Sequence, residues 1–164
     1  MDINPIAKDV SAWIDDLNTS YVEDRISCVK FRDAFDGFYD VGFLAASYYV
    51  VLDEIPTPEI VGANRNVQEM LAMPMDGITY KDTYYVRKGH EGNMALHFHE
   101  LVHVAQWECL GALRFITRYI EEIGVYKYEE APLELMAYTL QHCYESKAKR
   151  FDVPGHVKNL LINR

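Results

Sequence analysis

The stretch His97-Phe98-His99-Glu100-Leu101-Val102-His103-Val104-Ala105-Gln106-Trp107 decides how this chain is read. It lies between Asn93, a good helix N-cap, and Gly111, a good helix stop, and nothing between them breaks a helix. The spacing therefore predicts a helix from about residue 94 to Leu110. On it, His99 and His103 are four residues apart and share one face, with Cβ atoms about 5–6 Å apart. That suits two imidazole nitrogens closing on a single Zn²⁺ at about 2.0–2.1 Å. Glu100 points to the side, where its carboxylate can reach a water molecule beside the metal. H-E-x-x-H on a helix pairs two metal ligands with a general base.

Two histidines are half of such a site, because a catalytic Zn²⁺ usually has three protein ligands and one open position. A third histidine in the H-E-x-x-H-x-x-G-x-x-H pattern would fall near Cys109, where there is none. His142 is the next histidine and has no supporting motif, so a later carboxylate is the better fit. The candidates are Glu121, Glu122, Glu129, Glu130 and Glu134. Glu121 and Glu122 fall on the expected polar face of a helix over Ala112 to Ile123, whose apolar stripe is Leu113, Ile116, Ile120 and Ile123 and whose terminator is Gly124. Glu129 and Glu130 precede Pro132 and suit the N-terminal end of a helix dipole. Glu134 sits in the first turn of a last long helix running from Pro132 to about Arg150, among Leu133, Leu135, Met136 and Ala137. A carboxylate in apolar surroundings needs a partner, and a metal is one. Glu134 is the preferred third ligand, with Glu130 next. Pro154-Gly155 is expected to end the regular structure apart from a short turn.

Upstream, Asn4-Pro5 is a good helix start, with a helix to about Leu17. Ser20-Tyr21-Val22-Glu23 has the form of a capping box and predicts a second helix ending near Gly37. Ser47 to Leu52 is β-branched and aromatic and reads as a buried strand, stopped by Pro56 and Pro58. Asn66 to Ala72 reads as a short helix capped with help from Glu69. Ile78 to Arg87 reads as a hairpin turning at Lys81-Asp82. Helices, then strands, then helices make an α+β fold: a small twisted sheet packed against the motif helix, in one domain over 1–164.

The run from His99 to Trp107, followed by Ala131-Pro132-Leu133-Glu134-Leu135-Met136-Ala137-Tyr138, resembles the gluzincin metallopeptidases. More narrowly, it is similar to short prokaryotic proteins with an H-E-L-V-H-V-x-Q helix and a P-x-E-x-x-A-Y helix. The likeness is strongest from Gly77 to Tyr144, and Gly77 to Arg87 resembles the strand that precedes the active-site helix there. The resemblance implies a zincin-like fold, Zn²⁺ bound by His99, His103 and Glu134, and Glu100 as the base in peptide-bond hydrolysis. Larger gluzincins often carry an aspartate four residues after the ligand glutamate, orienting a ligand histidine; here that position is Tyr138, so the support must come from elsewhere. Tyr138, Tyr128 and Tyr126 are the tyrosines closest in sequence to the ligand region and the candidates for stabilising an oxyanion.

Composition bounds the alternatives. The chain has 164 residues, 49% hydrophobic and 25% charged, enough to bury a core. The net charge of −9 argues against nucleic acid and against anionic membrane surfaces. The run Val41 to Leu52 is too short to span a bilayer. Met1 to Pro5 lacks the basic and apolar regions of a signal peptide, and Cys28, Cys109 and Cys143 read as reduced thiols, so a cytoplasmic protein is expected. The expected partner is a peptide or protein substrate, bound by strand addition near Thr83 to Val86, with a second copy of the chain available to complete a shallow cleft. His97 and His90 are expected to be packed or solvated, and Gln106 and Trp107 to pack beneath the site. Two other readings stand beside this one. One is another zinc hydrolase: peptide deformylases carry an E-G-C-L-S segment that is absent here, and SprT-like proteases take a histidine as third ligand, for which His142 is the remaining candidate. The other is a zincin-fold module that binds or regulates without cleaving.

Overall fold

The computed structural model describes residues 3–163; Met1 and Asp2, on which part of the signal-peptide reading rests, lie outside them. Among the described residues the chain forms an α+β fold of seven α-helices and a four-stranded mixed sheet. Its centre is helix α4, Met94–Leu110, in which every residue from His97 to Trp107 is buried. A helix apolar on all sides must be enclosed on all sides. Here the sheet covers one side, while α5 (Ala112–Tyr126), α6 (Pro132–Glu145) and α7 (Val153–Ile162) pack around the rest. Asn93 Oδ1 accepts from Leu96 N–H at 3.2 Å, capping α4 as expected. Gly111 ends it with φ of +73°, a conformation that favours glycine.

The sheet order is β1–β2–β4–β3, from β1 (Ile26–Ser27), β2 (Tyr48–Leu52), β3 (Gly77–Tyr80) and β4 (Thr83–Arg87). The hairpin β3–β4 turns at Lys81-Asp82, as the sequence indicates, with Lys81 at φ of +65°. Strand β2 lies parallel to β4, with Tyr49 opposite Tyr84 and Val50 opposite Tyr85. Because β4 is paired on both sides, strand addition at Thr83 to Val86 is barred. The free edge beside α4 belongs to β3, which packs against that helix.

The long helix expected over Val22 to Gly37 does not form; a 3-10 turn at Cys28–Phe31 is what helix there is. Helix α1 (Ile3–Ser20) runs past Leu17 and absorbs Ser20, whose hydroxyl bonds back to the Asp16 carbonyl at 2.9 Å instead of capping a new helix. The following chain is drawn into the sheet: Ile26 and Ser27 pair with Tyr49 and Tyr48, and Cys28 N–H donates to the Ser47 carbonyl at 2.9 Å. Phe35, Phe38 and Tyr39 then turn inward onto Phe98 of α4 at ring separations of 5.1–5.4 Å. Long-range pairing and aromatic burial outweigh the local helix signal. A short helix α2 (Val41–Ala45), capped by Asp40, leads into β2.

Further boundaries differ for similar reasons. Helix α3 (Arg65–Ala72) is capped by Asn64, while Glu69 pairs with Arg65. Helix α5 continues through Gly124, whose carbonyl accepts from Asn66 Nδ2 at 3.0 Å, so α3 satisfies part of the α5 C-terminus. In α5 it is Phe115, Ile116 and Ile123 that are buried, while Leu113 is exposed. Helix α6 stops at Glu145, and Pro154-Gly155 opens a helix rather than ending one: Asp152 accepts from Gly155 N–H at 3.2 Å and caps α7. No helix among the described residues is long and apolar enough to cross a membrane.

Candidate metal centre

Adjacent turns of α4 bring His99 Nε2 and His103 Nε2 to 3.1 Å from each other. Glu134, the third residue of α6, presents Oε2 at 3.3 Å from each of those nitrogens. Ligand atoms about 2.0–2.1 Å from one Zn²⁺ at tetrahedral angles lie about 3.3–3.4 Å apart. The triangle has the size of one face of such a tetrahedron. All three side chains are buried, Glu134 to 1% exposure. Its Oε2 is aligned for a hydrogen bond with neither imidazole and has no other partner. A buried carboxylate oxygen left this way is costly, and a cation beside it removes the cost. His99, His103 and Glu134 can therefore hold a metal ion.

The histidine tautomers follow from the hydrogen bonds. Gln106 Nε2 donates to the Leu133 carbonyl at 3.0 Å, and a carbonyl can only accept. Its Oε1 therefore faces His103 Nδ1 at 2.8 Å and accepts that proton. Gln141 is turned in the same sense, with Nε2 donating to Glu145 at 2.8 Å and Oε1 accepting from His99 Nδ1 at 3.1 Å. Both rings thus direct Nε2 at the centre. Two glutamine amides therefore orient the two rings. Tyr138 at that position packs its ring on His99 instead, 4.5 Å between centroids.

Helix α5 grips the turn that carries Glu134. Tyr119 donates its hydroxyl to Glu134 Oε1 at 2.6 Å. Burial and the neighbouring Glu134 charge push that phenol far up, so it keeps its proton and acts as donor. Glu122, expected on a solvated face, is buried; it accepts from Leu133 N–H at 2.8 Å and from Arg118 Nε at 2.7 Å. It caps α6 from a neighbouring helix, since Ala131 has no side chain to do so. Glu121, Glu129 and Glu130 are exposed and stay out of the cluster. His142 is exposed as well, which removes the histidine that a SprT-like ligand set would need.

Without metal the cluster holds a proton. Burial works against charge on His103, but the Glu134 carboxylate outweighs it and lifts His103 to about 9. Burial also opposes charge on Glu134, yet the two imidazoles hold it well below the usual carboxylate range.

Glu100 faces β3. Its Oε2 accepts from the Thr79 hydroxyl at 2.6 Å, and a Cβ at position 77 would lie 2.6 Å from its Oε1, so Gly77 leaves the room the carboxylate needs. Burial pushes the Glu100 carboxyl up, outweighing the pull of His99 and His103. Glu100 is not one of the three grouped ligands. A cleft of about 280 Å³ bordered by Met73, Asn93, Tyr128, Tyr138 and Gln141 leads to His99 and Glu100. A smaller cavity of about 70 Å³ also reaches Glu100, His103 and Glu134, walled by Ile14, Met70, Ile78, Phe115 and Ile120. Tyr128 borders both spaces, whereas Tyr126 borders neither.

His97 is fully buried with its own partners: Nε2–H donates to the Glu91 carbonyl at 2.9 Å, so Nδ1 accepts from Tyr84 at 2.7 Å. It ties the loop before α4 to the core. His90 lies 3.3 Å from Asp76 and is half-buried rather than solvated. Trp107 does pack beneath the site, donating to the Thr79 carbonyl at 3.2 Å. Gln141 had a sequence signal, lying two helical turns after Glu134 on the same face. Thr79, Tyr119 and Glu122 had none, because they come from β3 and α5 and reach the ligands only through packing.

Comparisons with protein families, with curated proteins and with solved structures find no match to this chain.

Proposed function

We propose that this protein is a zinc-dependent peptidase with a zincin-like fold. The observation that carries the reading is the buried triangle of His99, His103 and Glu134 with Glu100 beside it but outside the ligand set. Three protein ligands leave a fourth position open, as catalytic zinc sites do and structural ones do not. A bound Zn²⁺ would supply Lewis acidity, polarising a carbonyl and lowering the pKa of water.

The chain's own residues account for the remainder. Glu100 takes a proton from the attacking water and returns it to the leaving amine nitrogen. Its raised affinity for protons and its Thr79 contact suit a base that must both accept and release one. Gln106 and Gln141 keep the histidine Nε2 lone pairs directed inward. Tyr128 and Tyr138 border the cleft where an oxyanion would form and offer hydroxyl donors. The edge of β3 is the place for an extended peptide to pair.

Elemental analysis of purified protein should find one zinc per chain. Glu100→Gln should abolish cleavage of a broad peptide library with that zinc retained. Protein without stoichiometric metal would end this reading, and metal retention with no cleavage by the wild type would leave a binding module in its place.

A further inference from the structure

Only one oxygen of Glu134 is offered to the imidazoles. Oε2 lies 3.3 Å from both Nε2 atoms and has no hydrogen bond, whereas Oε1 is taken by the Tyr119 hydroxyl at 2.6 Å. A short bond from a hydroxyl to a carboxylate is among the stronger hydrogen bonds available. The adjoining backbone has anchors of its own. One turn further along α5, Glu122 holds Leu133 N–H at 2.8 Å, and Gln106 holds the Leu133 carbonyl at 3.0 Å. The residue before Glu134 is thus held at both its N–H and its carbonyl, whereas Tyr119 acts on the carboxylate group itself.

We propose that Tyr119 is a positioning residue that keeps Glu134 a one-oxygen ligand, so that the fourth coordination position stays open. This rests on the metal-centre reading above. Carboxylates bind cations through one oxygen or through both. Bound through both, Glu134 would fill the position that water or substrate needs. Oε1 is the nearer rival for that position, because it belongs to a ligand already in place. Removing the hydroxyl leaves Oε1 buried and unpartnered, and the metal is then its available partner.

The test is Co²⁺ titration of the metal-stripped full-length wild type and Tyr119→Phe, followed by visible absorption. The wild type should give the intense bands of four-coordinate Co²⁺. Tyr119→Phe should bind Co²⁺ within about threefold of the wild-type affinity, unlike the roughly 10–100-fold loss usual for outer partners of a metal ligand. Its bands should weaken as the coordination number rises. A variant spectrum identical to the wild type overturns the proposal and leaves the metal centre standing; a wild type that binds no Co²⁺ overturns both. X-ray absorption at the zinc edge of the wild type needs no variant to fold: Glu134 bound through one oxygen supports the proposal, and through two defeats it.

Discussion

His99 and His103 reach the centre from neighbouring turns of one helix, whereas Glu134 reaches it from the first turn of another. The two halves are held by different physics. Once α4 forms, helical geometry alone puts the imidazoles on one face, and burial of the whole helix keeps them there. The carboxylate has no such guarantee. It depends on Glu122 at the Leu133 N–H, Gln106 at the Leu133 carbonyl and Tyr119 at its own Oε1. Local structure makes one half, and side chains from two other helices make the other. The halves also meet electrostatically, since Glu134 lifts His103 and the imidazoles depress Glu134.

The largest effect should come from breaking either half outright. His103→Ala and Glu134→Ala should each lower metal affinity by more than about 100-fold, beyond the range for outer partners. Competition with a chelator of known affinity measures this. Equal losses would show that the locally built half has no advantage once metal is bound.

Removing the charge coupling is the next test. The raised His103 stabilises the metal-free protein fully below the unfolded-state value of about 6.5 and loses that contribution as pH rises through about 9. Metal needs the neutral ring, so apparent metal affinity should rise with pH up to about 9, with about one proton released per metal. Titration calorimetry in buffers of different ionisation enthalpy counts that proton. In Glu134→Gln the ring loses its anionic neighbour, and the release at pH 7–9 should vanish; its persistence would mean that another group holds the proton.

Smaller losses should follow from the glutamines. Gln106→Ala and Gln141→Ala should each cost about 10–100-fold in metal affinity. Gln106 touches both halves, so its loss should be the larger of the two. The reverse order would show that its bond to Leu133 matters little.

Glu122→Ala should have the smallest effect on metal and the clearest effect on folding. It leaves the buried Leu133 N–H unpaired, a cost of about 1–3 kcal/mol measurable by denaturant unfolding. Metal affinity should fall severalfold through the loosened α6 turn. Unchanged affinity would show that Tyr119 and Gln106 hold Glu134 without the cap.

Sequence patterns served well where one element carries the information. Asn93, Gly111 and the four-residue histidine spacing described α4 nearly to its boundaries, and a run of β-branched and aromatic residues marked β2. Apolar neighbours singled out Glu134 among five glutamates. The reading failed at Ser20 to Gly37, where a capping-box pattern competed with pairing to β2 and lost. It failed again at Glu122, where an ordinary polar-face position turned out to lie against the end of a neighbouring helix.

The sequence of α4 was enough to specify a helix with two imidazoles on one face and a carboxylate beside them, because spacing along a helix translates directly into direction. It could not specify which nitrogen of each ring faces inward, which oxygen of Glu134 is free, or what supports Glu100. Those depend on Gln106, Gln141, Tyr119, Thr79 and Gly77, contributed by four different elements. Hydrogen bonds select atoms only at about 3 Å, a separation between distant parts of the chain that exists only after packing has brought them together.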